Sequence, residues 1–195
     1  PNFWRAPNYN DYGYKMPELL GVWRMAGSGA VVKKVRADKP SDGRGRLEFE
    51  FTLNGDAGHV VVAYEVYGSG DVIVDYLFKK SGKELPVIPR IGMMMSLPGR
   101  FSNLKWYGRG PWENYPDRKT AAFVDVYTST VSEQFEMYPM PQETGYKTDT
   151  RWLHLTDEAG NGWFVEGEDL LGFSALHFTP EDLTKADRGL WHTVD

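Results

Sequence analysis

Two stretches of the sequence concentrate the side chains that could do chemistry. The first is Gly108-Arg109-Gly110-Pro111-Trp112-Glu113-Asn114-Tyr115-Pro116-Asp117-Arg118-Lys119. Its Gly and Pro content argues against a helix or a central strand, so a loop is expected. That loop brings Glu113, Asn114, Asp117 and Arg118 close to Trp112 and Tyr115. Planar polar groups bind hydroxyls and aromatic faces stack on sugar rings, which gives a sugar-facing reading. The alternative is architectural, with Arg118 pairing with a carboxylate to pin the loop. The second stretch is Pro139-Met140-Pro141-Gln142-Glu143-Thr144-Gly145-Tyr146-Lys147-Thr148-Asp149-Thr150-Arg151-Trp152. It opens as a loop, where binding residues usually sit, and then enters a strand. Gln142 and Glu143 are its candidate hydrogen-bonding groups. Arg151 is expected to pair with Glu143 or Asp149, an exposed bridge worth only ~0–1 kcal/mol.

Paired carboxylates are the tools of glycoside hydrolysis, and Glu113 with Glu143 is the pair to test. None of the four histidines, His59, His154, His177 and His192, has a metal-ligand spacing. His177 follows Phe173-Ser174-Ala175-Leu176 at an expected strand end. It reads either as a cleft-facing acid or base or as a satisfied structural histidine. There is no cysteine, so disulfides, thiolate nucleophiles and Cys-based zinc sites are excluded. A cysteine-free chain suits both a cytoplasm and a periplasm. Gly27-Ser28-Gly29 and Gly68-Ser69-Gly70 lack the Lys and helix of a phosphate loop and read as turns.

The elements that must position these groups are mostly strands. Arg46–Leu53 alternates with period two, placing Leu47, Phe49, Phe51 and Leu53 on one face. With His59–Tyr67 and Asp71–Phe78 it forms runs separated by turn clusters, an antiparallel meander. Further strands are expected at Ala30–Ala37, Val87–Met95, Leu104–Tyr107, Ala122–Thr130, Arg151–Thr156, Gly162–Glu166 and Leu171–Phe178. Two short helices are expected. One lies near Pro17–Ala26, closed by Gly27, and the other over Pro180–Asp187 with Thr179 as N-cap. About ten strands with little helix predict an all-β sandwich in one domain.

The whole-chain numbers agree. The 195 residues carry 41% hydrophobic and 25% charged residues and a net charge of −5, ordinary for a globular domain. The mild acidity argues against nucleic acid as a partner, and no apolar run approaches ~20 residues, which argues against a membrane span. Seven Trp, eleven Tyr and ten Phe suit a large β core and also suit sugar binding. The first residue is Pro and no leader pattern is visible, so the chain is expected to be part of a longer protein.

Several motifs together resemble one family. Asn2-Phe3-Trp4-Arg5-Ala6-Pro7 followed by Asn10-Asp11 resembles the opening of the C-terminal β domain, or small chain, of family 2 β-galactosidases. The stretch Gly108–Arg118 resembles that domain's signature. Pro141-Gln142-Glu143 with Gly145, Arg151-Trp152-Leu153, Phe173-Ser174-Ala175 with His177, and Asp182-Leu183 with Ala186 follow in order. The resemblance implies a large antiparallel supersandwich similar to galactose mutarotase. It implies a role for the chain in hydrolysis of terminal β-D-galactosides with retention. The two catalytic glutamates and a magnesium site would lie on a barrel outside these residues, so this chain supplies neither catalytic residue nor metal ligand nor cofactor. Its partners would be the parent's other domains, the galactoside and further copies of a homo-oligomeric parent. The family's galactose-stacking Trp follows the position of His192 and is expected beyond Asp195, so none of the seven Trp inherits that role.

On this reading Trp112, Glu113, Asn114, Tyr115, Arg118, Gln142, Glu143, Arg151 and His177 are carbohydrate-facing or domain-interface candidates. Trp112, Glu113, Asn114, Arg118, Gln142 and Glu143 are expected to form one connected polar surface. Two other functions fit the same fold. One is an aldose 1-epimerase (mutarotase), for which His177 and Glu143 are the available acid and base. The other is a carbohydrate-binding module.

Overall fold

The computed structural model describes residues 1–184. The expected helix residues 185–187, Ala186 of the family pattern and His192 lie outside the described residues. Within them the chain is mostly β, with two antiparallel four-stranded sheets and a few short helices. It divides into two compact units. The first comprises 1–5 and 11–94, the second 6–10 and 95 onward. A five-residue helix α1 (Tyr9–Gly13), absent from the sequence reading, straddles that division.

In the first unit, α2 (Met16–Leu19) and α3 (Gly21–Ser28) replace the single expected helix. The break falls at Leu20, which leaves helical geometry (φ −111°, ψ 6°) just before Gly21. Glycine there holds the following turn weakly. Four strands follow in sequence order: β1 (Val31–Ser41), β2 (Arg44–Thr52), β3 (Gly58–Tyr67) and β4 (Val72–Lys80). This is the expected meander. Its first turn needs Gly43, whose φ of 76° lies in the left-handed region. One face of β2 carries Phe49 and Phe51, with ring centroids 6.2 Å apart. The other carries Arg46, which bonds Glu65 of β3 at 2.8 Å. Leu47 is 41% exposed, so the apolar face is fully buried only toward Leu53. There Leu53 joins Phe3, Trp4, Trp23 and Val60 in the core.

No strand forms at Val87–Met95. Pro86 and Pro89 supply no N–H, and only an isolated bridge joins Gly92 to Asn2.

The second unit's sheet runs in the order β6-β5-β7-β8, with β5 (Asn103–Gly110), β6 (Phe123–Thr130), β7 (Lys147–Thr156) and β8 (Gly162–Phe173). The two strands expected at Gly162–Glu166 and Leu171–Phe178 are one continuous β8 that ends at Phe173. Its register shift opposite Thr150–Trp152 interrupts the alternation, and that is why it reads as two strands. Leu104, Trp106, Val131, Leu153 and Leu155 form the core of this unit. α4 (Pro180–Thr184) is capped as expected. Asp182 N–H donates to Thr179 Oγ1 at 3.1 Å, and Thr179 N–H donates back to Asp182 Oδ2 at 2.9 Å.

Gly108, Arg109 and Gly110 belong to β5 and not to a loop, because the two glycines make room for neighbours. A Cβ on Gly108 would stand 2.7 Å from Thr150 Oγ1, and one on Gly110 2.8 Å from the Tyr127 ring. Both share the buried face of Trp106, whose indole stacks on Tyr127 at 5.2 Å.

Candidate functional site

Strand β5 ends at Gly110, and the chain leaves it through Pro111 and Trp112. Trp112 is 67% exposed. Two residues on, Asn114 is 1% exposed and ties the loop to β7. Its Oδ1 accepts from Thr148 N–H at 2.9 Å and from the Thr148 hydroxyl at 2.6 Å. Its Nδ2 donates to the Trp112 carbonyl at 3.1 Å. Its own N–H donates to the Tyr146 carbonyl at 2.7 Å. Asn114 is thus a buried fastener and not part of a surface, which corrects the connected-surface expectation.

Glu113 is the hub of a second cluster. It accepts from Arg118, from the Tyr138 hydroxyl, and from Gly145 N–H at 2.9 Å. Burial raises the Tyr138 phenol above its ordinary value, and the Glu113 carboxylate adds to that. Tyr115 and Arg118 pair through their backbones, Arg118 lies over the Tyr115 ring at 5.4 Å, and Tyr115 stacks on Tyr146 at 5.7 Å. Arg118 therefore pins the loop on a carboxylate, the architectural alternative.

Gly145 holds this cluster at a second point. Its φ is 71°, and a Cβ there would meet the Gln134 carbonyl oxygen at 2.5 Å. Gly145→Ala is expected to cost about 2 kcal/mol of stability, from left-handed strain and backbone collision together. Denaturant unfolding of the variant checks this, and an unchanged midpoint would contradict it.

The remaining candidates go elsewhere. Gln142 Oε1 accepts from Tyr9 N–H at 3.2 Å, so it does not join the Glu113 cluster. Glu143 is buried, at 6% exposure. His177 is exposed beyond the end of β8, with Nε2 3.1 Å from Ser132 Oγ. Arg151 neither pairs with Glu143 nor reaches the Asp149 carboxylate. It donates to the Asp149 backbone carbonyl at 2.6 Å and lies over the Tyr107 ring at 5.3 Å. The Asp149 carboxylate is already held by Arg109 Nε at 2.6 Å and Lys119 Nζ at 3.0 Å. Those two cations, Arg109 first, hold its carboxyl below the usual range.

Sequence reasoning missed the residue between these clusters. Lys147, the first residue of β7, is 2% exposed. Its ammonium donates to the Gly145 carbonyl at 3.3 Å and lies 5.4 Å from the Trp106 ring centroid. Burial pushes it from 10.5 down to about 8, against the pull of Glu113 and Glu136. No sequence signal marks it, since a lysine between Tyr146 and Thr148 reads as a solvated strand residue. Lys147, Glu113, Trp112, Gln134 and Glu136 line a pocket of about 280 Å³. Among the described residues no group of three His, Asp or Glu is placed to hold a metal ion. No helix among them is long and apolar enough to cross a membrane.

The family model described as β-galactosidase small chain matches residues 1–195. A β-galactosidase of Priestia megaterium is 37% identical over 187 residues, covering 96% of this chain and 18% of that protein. One from Lactobacillus delbrueckii subsp. bulgaricus is 32% identical over 188 residues, covering 95% and 18%. One from Halalkalibacterium halodurans is 32% identical over 165 residues, covering 83% and 16%. The chain thus spans about 18% of the length of the first two of these relatives.

Proposed function

The chain belongs to the β-galactosidase small-chain family, and from that premise we propose that it serves a longer family 2 glycoside hydrolase that cleaves terminal β-D-galactosides with retention. The observation that carries the reading is the match of the small-chain model over all 195 residues, joined by relatives that extend far beyond this segment. On this reading the acid, the nucleophile and the magnesium site belong to other domains of the parent. The present residues wall the sugar pocket and pack on the catalytic barrel. The two antiparallel sheets support a galactose mutarotase-like kind of β architecture.

The chemistry within the chain suits architecture better than proton transfer. Glu113, half of the acid–base pair considered from sequence, is committed to Arg118, Tyr138 and Gly145 N–H. A carboxylate whose oxygens are engaged by that many donors of its own chain is fixed in place and not positioned to take a proton from a substrate. It is a good fixed anchor for the loop that presents Trp112.

The isolated 195 residues are expected to show no turnover of a chromogenic β-galactoside, while the full-length parent turns it over. Hydrolysis by the isolated chain would sink the proposal. Arg118→Ala in the parent tests the loop's part in it. Assembly, KM and kcat all left unchanged would remove the loop from the pocket wall and from the barrel contact.

A further inference from the structure

The pocket beside Trp112 combines three features that the proposed function leaves unused. Its buried cation is under-satisfied. An ammonium carries three donors, and that of Lys147 makes one hydrogen bond, to the Gly145 carbonyl. Its acceptors are also available. Glu133 spends Oε2 on Ser129 and on the Thr130 N–H and hydroxyl, while its Oε1 has no hydrogen-bond partner. The Glu136 carboxylate accepts no hydrogen bond, the residue being held through its backbone alone: its N–H donates to Thr144 Oγ1 and its carbonyl accepts from Tyr138 N–H and the Thr144 hydroxyl. Third, Trp112 stands at the pocket with 67% of its surface open.

We infer that this pocket is a binding site for a single sugar ring, stacked on Trp112, with hydroxyls accepting from Lys147 and donating to Glu136 and Glu133. The choice of ligand follows from the mixture of charges. Each hydroxyl both accepts and donates, so one ring can serve an ammonium and carboxylates together. An anion would satisfy Lys147 but face Glu113, Glu133 and Glu136. A cation would satisfy the glutamates but face Lys147. The volume, about 280 Å³, lies just below the range of roughly 300–1,000 Å³ typical of small-molecule pockets. That suits one ring and not an oligosaccharide. Trp112 offers the flat apolar face that the C–H side of a pyranose needs. The inference goes beyond the hydrolase reading and does not rest on it, since nothing in it involves bond cleavage.

The test is hydroxyl-radical footprinting of the full-length protein, reading Trp112 oxidation by peptide mass spectrometry against Trp163. Trp163 is itself 45% exposed and lies outside the pocket, so it reports radical scavenging by the added sugar. Saturating D-galactose or D-glucose is expected to slow Trp112 oxidation about threefold relative to Trp163. The protection is expected to vanish in Lys147→Met and to weaken in Glu136→Gln. Equal slowing of both tryptophans overturns the site, and so does protection by inorganic phosphate in place of sugar. A Trp112 that is unreactive before sugar is added also overturns it, because the pocket is then filled by another part of the protein. Galactoside hydrolysis by the same sample is read separately, so a failure of this site and a failure of the hydrolase reading are distinguishable.

Discussion

Replacing Lys147 by Met is expected to raise the unfolding free energy by about 2 kcal/mol near pH 7 and to lower it by about 1 kcal/mol near pH 11. The ammonium is 2% exposed and burial pushes it from 10.5 to about 8. Below pH 8 the folded and unfolded chains both carry the proton, and the folded chain bears the full cost of a buried charge. Between about 8 and 10.5 the folded chain has released that proton while the unfolded chain still binds it, so wild-type stability rises with pH. Above 10.5 both are neutral and the handicap is gone. The gap is worth roughly 3 kcal/mol at about 1.4 kcal/mol per pH unit. Met fills similar volume without charge but loses the bond to the Gly145 carbonyl, about 1 kcal/mol. The difference between the two proteins isolates this lysine from other groups that titrate in the same window. Denaturant unfolding at both pH values gives the answer. A loss of stability near pH 7, or a gain equal at both pH values, contradicts the buried-charge account.

Asn114→Ala is expected to lower stability by about 3 kcal/mol. Three side-chain hydrogen bonds disappear, and the Thr148 N–H, the Thr148 hydroxyl and the Trp112 carbonyl lose them at a site with 1% exposure. Water cannot replace them without opening the loop from β7. The backbone bond from Asn114 N–H to the Tyr146 carbonyl survives, so the loop is loosened and not detached. Asn114→Asp is the informative control. It keeps an acceptor for Thr148 but turns a carboxylate oxygen toward the Trp112 carbonyl. That repulsion raises the folded-state pKa of the new carboxyl, so the variant regains stability as pH falls and the acid protonates and donates. An Ala variant within about 0.5 kcal/mol of wild type would show that Asn114 does not fasten the loop.

Periodicity and turn chemistry carried the sheets. The alternation in β2 and the turn residues before and after β3 determine an antiparallel meander, because each strand pairs with its chain neighbour. The Thr179–Asp182 cap was likewise local. Failures came where local signals competed. Prolines undid the strand at Val87–Met95, a bulge made β8 read as two strands, and the glycines of β5 read as a loop. A strand glycine is recognisable only once the Trp106 and Tyr127 rings that pass over it are known.

The candidate site divides the same way. Residue types and order within Gly108–Arg118 and Pro139–Trp152 were enough to mark the segments that meet and to place the chain in its family. They could not say which groups meet. Arg151 and Lys119 lie near Asp149 in sequence or chemistry alike, yet Lys119 and Arg109 reach its carboxylate while Arg151 takes its carbonyl. Asn114 was expected on a polar surface and is buried, and Lys147, singled out by nothing in the sequence, is buried as well. By itself the sequence determined strands, turns and family, since these depend on contacts between near neighbours and on residue order. The tertiary structure decided burial, and with it the charge cost at Lys147 and the partners of Glu113, because desolvation depends on what packs around a group from segments distant in the chain.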